Sequence, residues 1–203
     1  MHPREYLSYS QLMCIESGDE AYIKEYLYGK KRGINRGTAL GKEVADSLES
    51  GEETGDMMKD LVIAQLPKFE IMDEKMLMNL RSGSEMIPIL IKCDSIRPDL
   101  LAFKEYKTGD EKSKWTQAKV DTDDQVTFYA AGIFAKVGKI PEAELIWAPS
   151  RKVMGEDGIE RPELTGEIRR FPTRRSLTQI IKMHARMARA WRRIGELTDN
   201  ELL

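Results

Sequence analysis

Apolar residues along the chain change their spacing about a third of the way in. Near the N-terminus, Leu12, Ile15, Tyr22 and Tyr26 recur at roughly helical intervals behind Ser8 or Ser10, either of which suits a helix start. Leu40, Val44 and Leu48 stack at i, i+4 and i+8, predicting a second helix from Thr38, as cap, through Glu49. "ESGEETGD" reads as an acidic loop, and Asp56 to Leu66 and Glu74 to Asn79 read as short helices separated by Pro67. The Ile-rich run "MIPILIKCDSI" then predicts a buried strand, "RPD" a turn and "LLAFKEYK" its hairpin partner. "TGDEKSKW" predicts a polar loop, and "TDDQVTFYAAGIFAKVG" a helix closed by Gly138. "AELIWAPS" and "LTGEIRRF" predict two more strands around a loop, "GEDGIERPE". A long helix, about 173–197, follows, opened by Pro172 or Thr173. Helices, a hairpin, a crossover helix and further strands predict an α/β fold, a mixed β-sheet flanked by helices.

At 203 residues without repeat or linker, the chain is read as a single domain, 1–203. No stretch approaches the roughly 20 apolar residues of a membrane span, and "MHPREYLSYSQL" lacks a signal-peptide pattern. Cys14 and Cys93 match no metal spacing and are expected as buried thiols in a reducing cytoplasm. The net charge of −2 conceals an asymmetry. Between Glu43 and Glu74 ten acidic residues face only Lys59 and Lys68. Between Ile168 and Arg193 there are nine basic residues and no acidic one. This basic element is either a phosphate-binding face, through Arg170, Arg174, Arg175, Lys182 and Arg186, or a helix neutralised by the acidic region.

"FKEYKTG" carries the sharpest candidate chemistry. Glu105 and Lys107, two apart on a strand, share a face, and the hairpin reading brings Asp94 to the same spot. Two carboxylates suit a hard divalent cation, and an adjacent ammonium can orient or deprotonate a water or stabilise a phosphorane charge. Alone, such a motif is more often a charge pair at a solvated strand end.

The succession "YLSYSQL", "GKEVADSLE", "IKCD", "EYKTG" and "DDQVTFYA", spanning about Tyr6 to Ala131, resembles the RecB-like branch of the PD-(D/E)XK nuclease superfamily and its phage and CRISPR-associated exonucleases. The resemblance implies a restriction-endonuclease-like core and a metal-dependent DNA nuclease, an exonuclease of phage, recombination or repair type. It implies Asp94 and Glu105 as metal carboxylates, the Tyr106 backbone carbonyl as a further ligand and Lys107 as the catalytic lysine. Gln125 and Tyr129 fall on its helix motif, i and i+4 on one face. One or two Mg²⁺ or Mn²⁺ ions are implied, and DNA is the expected partner, alongside a recombination or repair protein or further copies of the chain.

Two positions depart from the pattern. Gly41 matches a Gly-x-x-x-His helix, but Ala45 replaces the histidine; Glu49, one turn on, is nominated as the ligand, with Glu43 second. Ile91 replaces a common glycine, which affects packing more than chemistry. Two cysteines cannot hold the four-cysteine iron–sulfur cluster of some relatives. Trp115 is a candidate for base stacking or for capping the core, Trp147 is expected in the core, and His184 is expected to be solvated or DNA-facing. The competing readings are a non-catalytic DNA-binding or adaptor module on the same fold, and a structure-specific endonuclease.

Overall fold

The computed structural model describes residues 5–30 and 36–201. Strand β1 (Leu7–Ser8) runs straight into helix α1 (Tyr9–Ser17). Ser8 starts that helix through a reciprocal cap: its hydroxyl accepts from the Gln11 N–H, and its own N–H donates to Gln11 Oε1 at 2.9 Å. Gly18, at φ +136, ends it. Helix α2 (Asp19–Tyr22) then passes into a π-helical turn, Ile23–Leu27.

Helix α3 (Arg36–Ser50) begins two residues before Thr38, so Thr38 lies in its first turn rather than capping it. Leu40, Val44 and Leu48 are buried along one stripe, as their spacing predicts. Asp56 caps α4 (Met57–Gln65) by accepting from the Met58 and Lys59 N–H groups.

The expected helix at Glu74–Asn79 is a strand. After β2 (Ile71–Met72), β3 (Lys75–Ser82) turns Met76, Met78 and Leu80 inward and Lys75, Leu77, Asn79 and Arg81 outward, a period of two that outweighs local helix propensity. Gly83, at φ +63, forms the tight turn into β4 (Glu85–Lys92), which pairs along its whole length with β3.

The Ile-rich strand is therefore not the hairpin partner of the Glu105 strand. The chain jogs at Cys93 and Asp94, and only β5 (Ser95–Ile96) pairs with β6 (Ala102–Asp110), at Lys104 and Phe103. Two sheets result, one ordered β1-β4-β3 and a larger one that begins β2-β5-β6, and Asp94 stands at the step between them. Helices α5 (Gln117–Asp121) and α6 (Asp124–Val137) form the crossover to β7 (Glu142–Met154), parallel to β6. α5 lies between the predicted polar loop and the predicted helix, in residues assigned to neither. The single strand expected at "LTGEIRRF" divides at Gly166, φ +85, into β8 (Glu160–Leu164) and β9 (Arg169–Arg174), both antiparallel to β7. Pro172 and Thr173 lie in β9, so Ser176, in a reciprocal cap with Gln179, starts α7 (Leu177–Glu201) instead.

The main core joins β3 and β4 to α1, α6 and α7, where Ile180, Met183, Met187, Trp191 and Ile194 form the buried stripe of α7. A second core packs α3 and α4 on Ile146, Ala148 and Leu164. Each fully buried side chain of this size contributes about 1.5–3 kcal/mol. Cys14 and Cys93 are buried thiols. The methionines divide: Met78 is core, whereas Met57 and Met58 are exposed. No helix among the described residues is long and apolar enough to cross a membrane.

Candidate active site

Strand β6 enters the core buried through Glu105 and emerges half-buried from Tyr106 onward. Strand alternation places Glu105 and Lys107 on the same face. Lys107 Nζ lies 3.3 Å from Glu105 Oε2 and donates to Gln125 Oε1 at 2.8 Å. Gln125 Nε2 in turn donates to the Tyr129 hydroxyl at 3.0 Å. Asp123 caps α6 at the Val126 N–H, fixing where the helix begins, and Gln125 and Tyr129 then fall one turn apart over Lys107.

Asp94 reaches the site by another route. Among the described residues β6 has no strand partner on the β5 side beyond Lys104, and Asp94 Oδ2 accepts the Tyr106 N–H at 2.7 Å. The jog that separates the two sheets thus delivers a carboxylate beside Glu105. Glu105 is 1% exposed, and its Oε1 is buried with no hydrogen-bond partner. Such an oxygen is costly unless something satisfies it.

The electrostatics follow from this crowding. Burial, then the Asp94 charge, pushes the Glu105 carboxyl up to about 8, against the opposing pull of Lys107. Burial also raises Asp94, countered by Lys107 and by the Tyr106 N–H. Burial pulls Lys107 down, but Glu105 and Asp94 outweigh it and the net shift is upward, so the lysine is an ammonium at neutral pH. Tyr129 is raised by burial and by Glu105, and stays a neutral hydroxyl.

A pocket beside Asp94 is lined by α3 and by the turn before β3. Gly41 makes the approach possible: a Cβ there would lie 3.0 Å from Thr108 Oγ1 of β6. Ala45 and Glu49 line the pocket with Asp94 and Tyr106. Glu43 is turned away, in an ion pair with Lys59 at 2.9 Å. Asp73, which sequence reasoning missed, also lines the pocket, and its closeness holds the Glu49 carboxyl above the usual carboxylate range. Reading Glu74–Asn79 as helix hid it; a strand reading would have set Asp73 at a turn into the site.

The site fits a hard cation in its donor chemistry, with a buried carboxylate, a partly buried one beside it and an orphaned oxygen. Among the described residues, no three His, Cys, Asp or Glu side chains already converge as a metal cage.

The expected DNA contacts are placed unevenly. Arg175 is buried and donates to Thr127 Oγ1, Thr173 Oγ1 and the carbonyls of Val120 and Asp123, all within 3.1 Å, so it clamps β9 to the crossover rather than offering a phosphate contact. Arg186 is held between Glu16 and Asp124, both at 2.7 Å, and Arg170 by Glu144 at 2.7 Å. Arg174 and Lys182 are exposed and make no ion pair among the described residues. Trp115 is half-buried against Val120, Leu145 and Trp147, with Lys119 Nζ 4.1 Å above its ring. Trp147 is core, in register between Lys107 and Arg169. His184 is partly buried, its Nε2 2.9 Å from the Ala131 carbonyl.

No protein-family model and no curated protein matches the sequence. Solved structures do share the fold. A putative exonuclease from Eubacterium rectale matches with a TM-score of 0.57 at 15% identity, over 97% of this chain and 82% of that one. The alkaline exonuclease LHK-Exo from Laribacter hongkongensis matches with a TM-score of 0.50 at 9% identity, over 97% and 92%. Its complex with dAMP gives 0.51 at 10% identity, over 98% and 93%. At these identities the likeness is one of fold: a mixed α/β architecture of curled sheets flanked by helices, shared with exonucleases.

Proposed function

We propose that the chain is a single PD-(D/E)XK nuclease domain of the RecB-like branch that hydrolyses DNA phosphodiester bonds with Mg²⁺ or Mn²⁺, as an exonuclease. The observation that carries this reading is the hydrogen-bonded series Glu105–Lys107–Gln125–Tyr129 beside Asp94, with one buried Glu105 oxygen left unpartnered. The shared fold with proteins described as exonucleases supports it.

Asp94, Glu105 and the Tyr106 carbonyl, with Glu49 from α3, would hold the ion, which supplies Lewis-acid polarisation of the phosphate when bound. Lys107 does the positioning. Its ammonium, kept charged by two carboxylates, donates to the attacking water and to the charge that develops on phosphorus-bound oxygen. Gln125 presents Oε1 to Lys107 because Tyr129 takes its amide nitrogen, which fixes the lysine's aim. Tyr106 anchors the strand behind them, its hydroxyl donating to the Pro67 carbonyl at 2.8 Å.

End-labelled and circular DNA incubated with Mg²⁺, Mn²⁺ or chelator tests the reading. Metal-dependent release of nucleotides from ends is expected, and Lys107→Ala should lower the rate by at least about a hundredfold with the fold and DNA binding retained. Undiminished cleavage by that variant would remove Lys107 from the mechanism. Ala45 in place of a ligand is the one feature favouring a DNA-binding module without cleavage; binding without hydrolysis under either metal would establish that reading instead.

A further inference from the structure

Arg175 stands in the link between β9 and α7, 3% exposed, and its donors end on neutral oxygens. Nε donates to Thr127 Oγ1 at 2.7 Å and Nη1 to Thr173 Oγ1 at 2.8 Å. Nη2 donates to the Val120 carbonyl at 2.8 Å and to the Asp123 carbonyl at 3.1 Å. Val120 lies in the last turn of α5, Asp123 is the N-cap of α6, and Thr127 follows one turn later. Thr127 closes that turn on itself, its hydroxyl donating to the Asp123 carbonyl at 2.6 Å and its N–H to the same oxygen at 3.0 Å.

On a helix, positions 123 and 127 stack on one side, and position 125, two residues from each, points to the opposite side. That opposite side carries Gln125, whose Oε1 accepts from Lys107 Nζ at 2.8 Å. The guanidinium therefore grips the rear of the turn whose front holds the lysine. Its planar fork reaches Thr127 and Val120 in different directions at once, which a lysine ammonium, a single point of charge, cannot do.

We propose that Arg175 is a positioning residue for Lys107, acting through the first turn of α6 and Gln125. The inference rests on the nuclease reading above and extends its machinery to the β9–α7 link. Loosening the turn leaves the Lys107 charge and the DNA surface in place but lets Gln125 shift, so the loss falls on the chemical step rather than on binding.

The test is a double-variant cycle on single-turnover cleavage of duplex DNA in saturating Mg²⁺, at a temperature where thermal unfolding shows each variant folded. Arg175→Lys keeps the charge and removes the fork. Thr127→Val removes one oxygen that the fork holds at nearly constant side-chain volume, and carries the test if Arg175→Lys does not fold. Each should lower the single-turnover rate by about tenfold or more, with DNA affinity measured in Ca²⁺ within about twofold of wild type. In a Gln125→Ala background each should cost less than about twofold, because the path to Lys107 is already cut. A purely structural role predicts the same loss in both backgrounds. That result, or wild-type rates in the single variants, would overturn the role of Arg175 and leave the nuclease reading standing. Wild-type protein that cleaves no DNA with Mg²⁺ would overturn both.

Discussion

Glu105 shows how much a single residue's surroundings decide. A strand-end carboxylate in water would titrate near 4.5, yet burial and Asp94 push this one up to about 8. The folded state therefore holds the Glu105 proton more tightly than the unfolded chain. Stability from this group is fully present below pH 4.5, and is lost as pH rises through about 8. Asp94 is shifted in the same direction by the same cause, while Lys107 stays charged across that window. In chelator, wild-type protein should lose stability steadily over this range, and Glu105→Gln should flatten the profile and exceed the wild type at pH 9. Urea titrations at intervals across the range measure it; parallel curves for the two proteins would show that Glu105 is not held protonated. Divalent cation should reverse the order, since binding requires the carboxylate.

At the scale of elements, the strand–helix contact between β4 and α6 shows a compensation. Ile91 of β4 fills its space against α6 because α6 carries Gly132 at the contact. A Cβ on Gly132 would come 2.4 Å from Ile91 Cδ1 and 3.1 Å from Cγ1. Gly132→Ala gains about 1 kcal/mol of helix propensity but costs about 1–3 kcal/mol of overpacking, so a net loss is expected. Ile91→Val deletes Cδ1 and by itself costs about 0.5–1.5 kcal/mol. The double variant should be more stable than the sum of the singles by about 1 kcal/mol, as contacting residues couple; additivity within about 0.5 kcal/mol in denaturant titrations would refute the fit. The elements legible in sequence were those with a cap and a helical stripe: α1 behind Ser8, α4 behind Asp56, α6 between Asp123 and Gly138. So was the order of Asp94, Glu105, Lys107, Gln125 and Tyr129, because β6 and α6 each fix their own side-chain spacing. β3 escaped because Glu, Lys, Met and Leu favour helices locally, and only pairing with β4 makes the strand. Asp73 escaped with it.

The whole molecule handles its charge in a way that no local reading reveals. The basic C-terminal segment and the acidic residues that answer it are far apart in sequence: Arg186 and Glu16 are separated by 170 positions and Arg193 and Asp19 by 174. The partners come chiefly from α1, α2 and α6, rather than from the acidic stretch at Glu43–Glu74. Guanidinium groups that looked available for phosphate are therefore spent as tethers of α7, with Arg186 joining α1 and α6 at once. Two classes of variant should separate accordingly. Arg186→Met leaves Glu16 and Asp124 without their partner and should destabilise the fold by roughly 1–3 kcal/mol; any change in DNA affinity should track that loss. Lys182→Ala and Arg189→Ala, at exposed positions without an ion pair among the described residues, should leave stability within about 0.5 kcal/mol. If α7 contacts the phosphate backbone, it does so through these exposed cations, and each one removed should reduce the slope of log K against log salt by about 0.9. Fluorescence anisotropy with duplex DNA in Ca²⁺, over a series of salt concentrations, reads that slope directly. A slope unchanged in the Lys182→Ala/Arg189→Ala double variant would take α7 out of the DNA interface and leave it a structural strut, its charge absorbed entirely within the protein.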